Sequence, residues 1–163
     1  MFELIPYTRF RDTPSVRFFD VTISDSNARD LVIHSGPAVS PPNDLQSGAW
    51  QFYLHPHQDD NLLSAGGGRT FFLVNLAWDH PFHIVRLDNG GDILHIPRGT
   101  FHRSVSDPDG SVVLNQAKRD PSACVVREFR VYNSLKIPKL YQVTSKGAIH
   151  PRLRGLEPIL QTA

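Results

Sequence analysis

The chain has 163 residues, 40% hydrophobic and 20% charged, with 17 basic against 16 acidic side chains and a formal net charge of +1. That balance gives no electrostatic excess toward nucleic acid or a membrane surface, and no apolar run approaches the ~18 residues of a membrane span. The length suggests one domain over 1–163. The lone Cys124 permits no intrachain disulfide and the N-terminus has no signal-peptide pattern, so a cytoplasmic protein is expected.

In chain order, short alternating or β-branched runs recur between turn signals. They predict strands at Ser15–Ile23, Asp30–His34, Ala49–Leu54, Arg69–Leu76, His83–Leu87, Ile93–Ile96, His102–Val105, Val112–Ala117 and Val125–Tyr132. The Pro- and Ser-rich stretch from Ser35 to Ser47 reads as an ordered loop into a barrel core that spans about 15–133. Gly66-Gly67-Gly68 reads as a turn between strands, because no Lys-Ser/Thr follows it to make a phosphate loop. Asn89-Gly90-Gly91 and Asp107-Pro108-Asp109-Gly110 read as tight turns, since Gly and Asn tolerate positive φ. Cys124, within an apolar run, reads as a small buried hydrophobe. Residues 134–163 read as an extended arm with room for a short helix near Pro151–Leu156. Its Lys136, Lys139, Lys146, Arg152 and Arg154 form a solvated basic face. Many short strands without long helical periodicity predict an all-β sandwich or barrel.

Two segments carry the candidate chemistry. The first runs from Gly48 through His55-Pro56-His57 to Gly68, and the second from Gly91 through Pro97-Arg98-Gly99 to His102. On a strand, residues two apart share a face, so His55 and His57 are expected side by side, about 7 Å apart. Two neutral imidazoles so placed can turn toward one metal ion, and a remote His102 would complete a facial set. Gln51 and Tyr53 share the parity of His55 and are candidate substrate-binding residues. Asn115 and Gln116 are polar within an apolar strand, so one of them must face inward and find a partner; Asn115 is the candidate for substrate contact. His95 reads as a strand residue and Arg98 as a solvated turn residue.

These segments resemble the paired motifs of the cupin superfamily, in its RmlC-like form. In the first motif His55-Pro56-His57 and Gly68 match, Asn61 takes the usual Glu place, and Gly48 lies one residue too far upstream. In the second, Gly91, Pro97, Gly99 and His102 match in spacing, with Ser106 in the Asn place. The resemblance covers about residues 48–106 and implies an all-β double-stranded β-helix, the jelly-roll barrel. It also implies one divalent metal (iron, manganese, nickel or zinc) on His55, His57 and His102. For the missing carboxylate four alternatives stand: Asn61 ligating through its oxygen, Asp59 by parity, Asp60 through a bulge, or a site without metal.

Three functions follow from the resemblance. One is a metal-dependent oxygenase, isomerase or lyase on a small polar or carbohydrate-like substrate. Another is a metal-free sugar-nucleotide epimerase or isomerase with His55 or His57 as base and Tyr53 as acid. There Tyr53-Leu54 replace the Arg-Gly that precedes the epimerase histidine. The third is a non-catalytic module binding a sugar or acid. A homodimer is expected, with the N-terminal strands and the C-terminal arm as contributors.

Overall fold

A computed structural model describes residues 1–123, 128–148 and 159–162. Among these residues twelve strands form: β1 (Glu3–Ile5), β2 (Thr8–Asp12), β3 (Arg17–Asp20), β4 (Ala28–His34), β5 (Val39–Ser40), β6 (Gln51–Leu54), β7 (Gln58–Val74), β8 (Phe82–Asp88), β9 (Ile93–Ile96), β10 (Phe101–Arg119), β11 (Val131–Asn133) and β12 (Ile159–Thr162). The main sheet runs β1-β9-β7-β10-β6-β11, with β8 on β7 and β4 and β5 on β10. All of these pairs are antiparallel, while β12 joins β8 in parallel. This is the all-β jelly roll that the sequence implies. Among the described residues β2 and β3 pair only with each other, so the expected strand over Ser15–Ile23 is a four-residue arm of a separate hairpin.

β7 and β10 are 17 and 19 residues long and pair along nearly their whole length. Two predicted turns are therefore not turns. Gly66-Gly67-Gly68 and Asp107-Pro108-Asp109-Gly110 lie opposite each other inside these strands. The register jumps there, from Ser106 against Arg69 to Ser111 against Gly67. The turn chemistry is used to make an irregular bulge that bends both strands around the barrel. The glycines are required by close approach. Gly67 has φ +66°, and a Cβ there would stand 2.3 Å from the Gly110 carbonyl oxygen; at Gly110, φ +86°, it would stand 2.2 Å from that of His34. Pro108 falls where the ladder is already interrupted, so its missing N–H removes no sheet bond.

Alternation along β7 divides the core. Phe71 and Leu73 join a cluster with Phe2, Leu62, Leu87 and Leu94. Phe72 and Val74, on the opposite face, pack with Phe52, Phe82 and Leu140. Leu140 belongs to helix α1 (Pro138–Ala148), which follows a single 3-10 turn at Ser134–Lys136. The C-terminal segment thus begins as a helix and not as an extended arm. Pro138 opens α1, where its fixed φ suits the first helical turn. Burying Leu140 completely contributes about 1.5–3 kcal/mol and holds the helix on the sheet. The strand predicted over Val125–Tyr132 is reduced to β11, with 124–127, including Cys124, outside the described residues. The expected helix near Pro151–Leu156 and the basic positions Arg152 and Arg154 also lie outside them.

Candidate active site

The site forms where β6 stops. Pro56 interrupts the strand after Leu54, and the chain makes a short turn through His55-Pro56-His57 before β7 begins at Gln58. The turn changes the phase of the side chains. His55 points inward and is 7% exposed, whereas His57 is exposed and does not line the cavity. The expected sharing of one face by His55 and His57 is therefore corrected, because it needs an unbroken strand. His57 contributes its backbone N–H, which donates to Glu128 Oε2 at 3.1 Å.

Asp60 takes the inward place next to His55. On β7 the inward set is Gln58, Asp60 and Leu62, while Asp59 and Asn61 face the other way. Asn61 therefore does not join the histidines. Its amide donates to the Gln116 carbonyl at 2.8 Å, and its oxygen lies 2.9 Å from His95 Nδ1. Asp59 is held by Arg98 through the backbone N–H at 2.8 Å and Nη2 at 2.8 Å. Arg98 is thus an ion-pair partner as well as a turn residue, and it keeps the Asp59 carboxyl below its ordinary range against the opposing effect of burial.

His55, Asp60 and His102 are all buried, and their ligand atoms lie within 4.8 Å of one another. Asp60 Oδ2 stands 3.4 Å from His55 Nε2 and 3.8 Å from His102 Nε2. The other carboxylate oxygen, Oδ1, accepts from Gln58 Nε2 at 2.6 Å and Asn115 Nδ2 at 2.8 Å. Asn115 Oδ1 in turn accepts from the Asn61 N–H at 3.0 Å, and Gln58 Oε1 from Arg119 Nε at 2.8 Å. Of the two amides Asn115 is the one that lines the cavity, and its partner is Asp60. Gln116 has a structural role, bonding the backbone of Val21 and Ile23.

Both histidines are anchored from behind. His55 Nδ1 contacts the Glu128 carbonyl oxygen, and His102 Nδ1 lies 3.1 Å from the Thr100 carbonyl oxygen. A carbonyl only accepts, so each Nδ1 carries the proton and each Nε2 faces Asp60. Burial first, and His55 second, lower the His102 pKa to about 4, so its ring is neutral near pH 7. The three facing atoms, the two Nε2 and Asp60 Oδ2, can all act as acceptors, so the cluster is built to hold a proton or a metal ion among them.

The cavity in front of this cluster has a volume of about 230 Å³ and is lined also by Tyr53, Arg69, Phe71 and Ser104. Tyr53 faces it with its ring centroid 6.0 Å from that of His102. Gln51, of the same parity, lies off the cavity and donates to the Pro42 carbonyl at 3.0 Å. Sequence reasoning did not single out Gln58 or Arg69 and left Asp60 as one of several options. The signal for the first two inward residues is the period-2 run Gln58-x-Asp60-x-Leu62, legible only once the phase reset at Pro56 is known.

No family model matches the sequence, and no curated protein matches it. Solved structures do. The QdtA sugar 3,4-ketoisomerase from Thermoanaerobacterium thermosaccharolyticum, in complex with TDP, superposes with a TM-score of 0.61 at 11% identity, over 86% of this chain and 95% of that one. The shared fold is a jelly-roll barrel. An rmlC epimerase from Mycobacterium tuberculosis gives 0.59 at 16% identity, over 96% of this chain and 77% of that one. A dTDP-6-deoxy-D-glucose-3,5-epimerase from Legionella pneumophila, bound to dTDP-4-keto-L-rhamnose, gives 0.57 at 9% identity, over 82% and 77%. At these identities the likeness to RmlC-like proteins is one of architecture. Among the described residues no helix is long and apolar enough to cross a membrane.

Proposed function

We propose that this RmlC-like cupin is an isomerase or epimerase that moves a proton next to the carbonyl of a sugar-like small molecule. The observation that supports it best is the buried His55–Asp60 pair facing the cavity, with His55 Nδ1 fixed from behind. In this reading His55 Nε2 takes the proton and Asp60 stabilises the imidazolium that forms, as a buried carboxylate does for a general base. Tyr53, across the His102 ring, returns a proton to the product. His57 and Gln51 take no part in the chemistry, because they stand off the cavity. The architectural neighbours whose names carry sugar-nucleotide epimerisation or ketoisomerisation agree with this class of reaction.

The test is proton NMR in D₂O with TDP-4-keto-6-deoxyglucose and free carbonyl sugars as probes. The expected result is deuterium entering the carbon next to the carbonyl of at least one probe, and its loss in His55→Ala. No exchange with any probe, in protein that is folded, would overturn the reading.

A second reading is favoured by the donor set itself. Imidazole and carboxylate oxygen suit a divalent transition metal, and each histidine's remaining N–H is already held by a carbonyl. The holding residues would be His55, Asp60 and His102, and the ion would supply Lewis-acid polarisation of a substrate carbonyl. Elemental analysis separates the two. The first reading expects exchange to survive chelator treatment, and the second expects metal that is lost in both His55→Ala and His102→Ala.

A further inference from the structure

Among the described residues Arg69 is a buried cation without a counter-ion. It is 3% exposed and lines the same cavity as the His55–Asp60 pair. Its Nε donates to Ser111 Oγ at 2.9 Å and its Nη2 reaches the Val32 carbonyl oxygen at 3.4 Å, both neutral acceptors. Among the described residues no carboxylate lies within 4.0 Å of it. The seven ion pairs seen involve other groups, and Asp30, which also lines the cavity, is not one of its partners. Burial alone lowers its pKa to about 10, which still leaves it charged near neutrality. A buried guanidinium with no anion is costly, and a protein that keeps one usually supplies the anion from a ligand.

Position narrows the anion. Arg69 sits opposite Ser106 in the sheet, while His102 sits opposite Leu73, four residues further along the same pair of strands. The backbones of the two ends are therefore separated by ~13 Å. Beside Arg69 stand buried Ser111 and Ser106, whose hydroxyls are 2.7 Å apart and lead on to His34 Nδ1 at 2.6 Å. At the other end Phe129, 48% exposed, stands beside His55 with ring centroids 5.7 Å apart. A carboxylate is the anion that best fits this place, because its single charge and two oxygens match one guanidinium. The cavity volume of about 230 Å³ fits one sugar ring or a comparable small acid.

We propose that Arg69 binds a terminal carboxylate of the substrate, so that the natural substrate is a small sugar acid or keto acid lying between Arg69 and the His55–Asp60 pair. This rests on the isomerase reading for what happens at the other end, but binding itself does not depend on it. Arg69 is a specificity-determining residue. Its removal should cost binding without costing stability, because the free protein is relieved of an unpaired buried charge.

The experiment is calorimetric titration of the wild-type protein with glucuronate, glucose and inorganic phosphate, repeated in Arg69→Met and His55→Ala. Glucuronate should bind the wild type at least 10-fold more tightly than glucose. That preference should vanish in Arg69→Met, with Tm unchanged or raised, and persist in His55→Ala. Equal binding of glucose and glucuronate, a preference retained in Arg69→Met, or binding of phosphate but not glucuronate would each overturn the proposal. Should Arg69→Met fail to fold, the wild-type ratio of glucuronate to glucose decides alone. Glucuronate preference without proton exchange on any carbonyl sugar would sink the isomerase reading and leave this one. Exchange on neutral sugars without the preference would do the reverse.

Discussion

Two arginines on the same pair of strands show how differently the two faces of the barrel wall are built. Arg69 on β7 and Arg103 on β10 are each 3% exposed, and burial lowers each to a pKa of about 10. Neither has a carboxylate partner among the described residues. Arg103 faces outward from the barrel, with its guanidinium 4.5 Å from the Trp50 ring centroid and 6.0 Å from that of Phe52. Its Nη2 donates to Asn43 at 2.9 Å, while Nε and Nη1 are buried without hydrogen-bond partners. Aromatic faces attract a desolvated cation, so the outer charge is held by packing. Among the described residues no aromatic ring lies over Arg69, which lines a cavity shared with His55, Asp60 and His102. The outer face is completed by the fold itself, and the inner face by what enters the cavity.

Substitutions should separate the faces. The largest effect is expected on the inner face. Asp60→Asn keeps the size of the side chain but removes the charge that stabilises a protonated His55, and should lower the exchange rate by about 10²–10³-fold. Its unfolding free energy in urea should change by only about 1 kcal/mol. A rate within threefold of wild type would remove Asp60 from the mechanism. On the outer face, Leu140→Ala should cost about 2–5 kcal/mol through the cavity left under α1, with the catalytic constants of the folded fraction unchanged.

A smaller effect concerns pH. His102 in the fold has its pKa lowered to about 4 from the 6.5 of a free ring, so the unfolded chain binds more protons between these values. Stability is full above about 6.5 and falls as pH drops toward 4, by on the order of 3 kcal/mol. Urea unfolding of chelator-treated protein should show this slope, and His102→Gln should flatten it. The smallest effect is at the rim. Asp59 and Arg98 pair at 2.8 Å, but the arginine side chain is 44% exposed. Asp59→Ala should cost less than about 1 kcal/mol and leave activity intact. A large loss of activity there would mean that the far side of β7 belongs to the site after all.

The barrel was legible because most strands carry period-2 patterns, and because Gly91, Pro97, Gly99 and His102 lie in the register of the second motif. The first motif misleads where local geometry departs from a continuous strand. Pro56 resets the phase, so parity counted from Tyr53 places His57 and Asn61 inside, whereas the fold places Asp60 there. The two glycine-rich segments were read as turns because each alone has turn chemistry. Only their pairing, Gly67 against the Gly110 backbone, shows that each makes room for the other. Arg69 was invisible for a similar reason, since nothing local to a Gly-Arg-Thr sequence distinguishes a buried cation from a surface one. That one of Asn115 and Gln116 faces inward was legible, because a polar amide within an apolar strand must find a partner, but which of the two was not.

The central claim is that His55 and His102 are pinned through Nδ1 and turn Nε2 toward Asp60. Nitrogen-15 NMR of histidine-labelled protein reads this directly, because protonated and unprotonated ring nitrogens differ widely in chemical shift. The account predicts that both rings carry a proton on Nδ1 and that His102 keeps an unprotonated Nε2 down to about pH 5. Neutral rings protonated at Nε2 would contradict it, since neither could then present a lone pair to a substrate proton or a metal in the cavity.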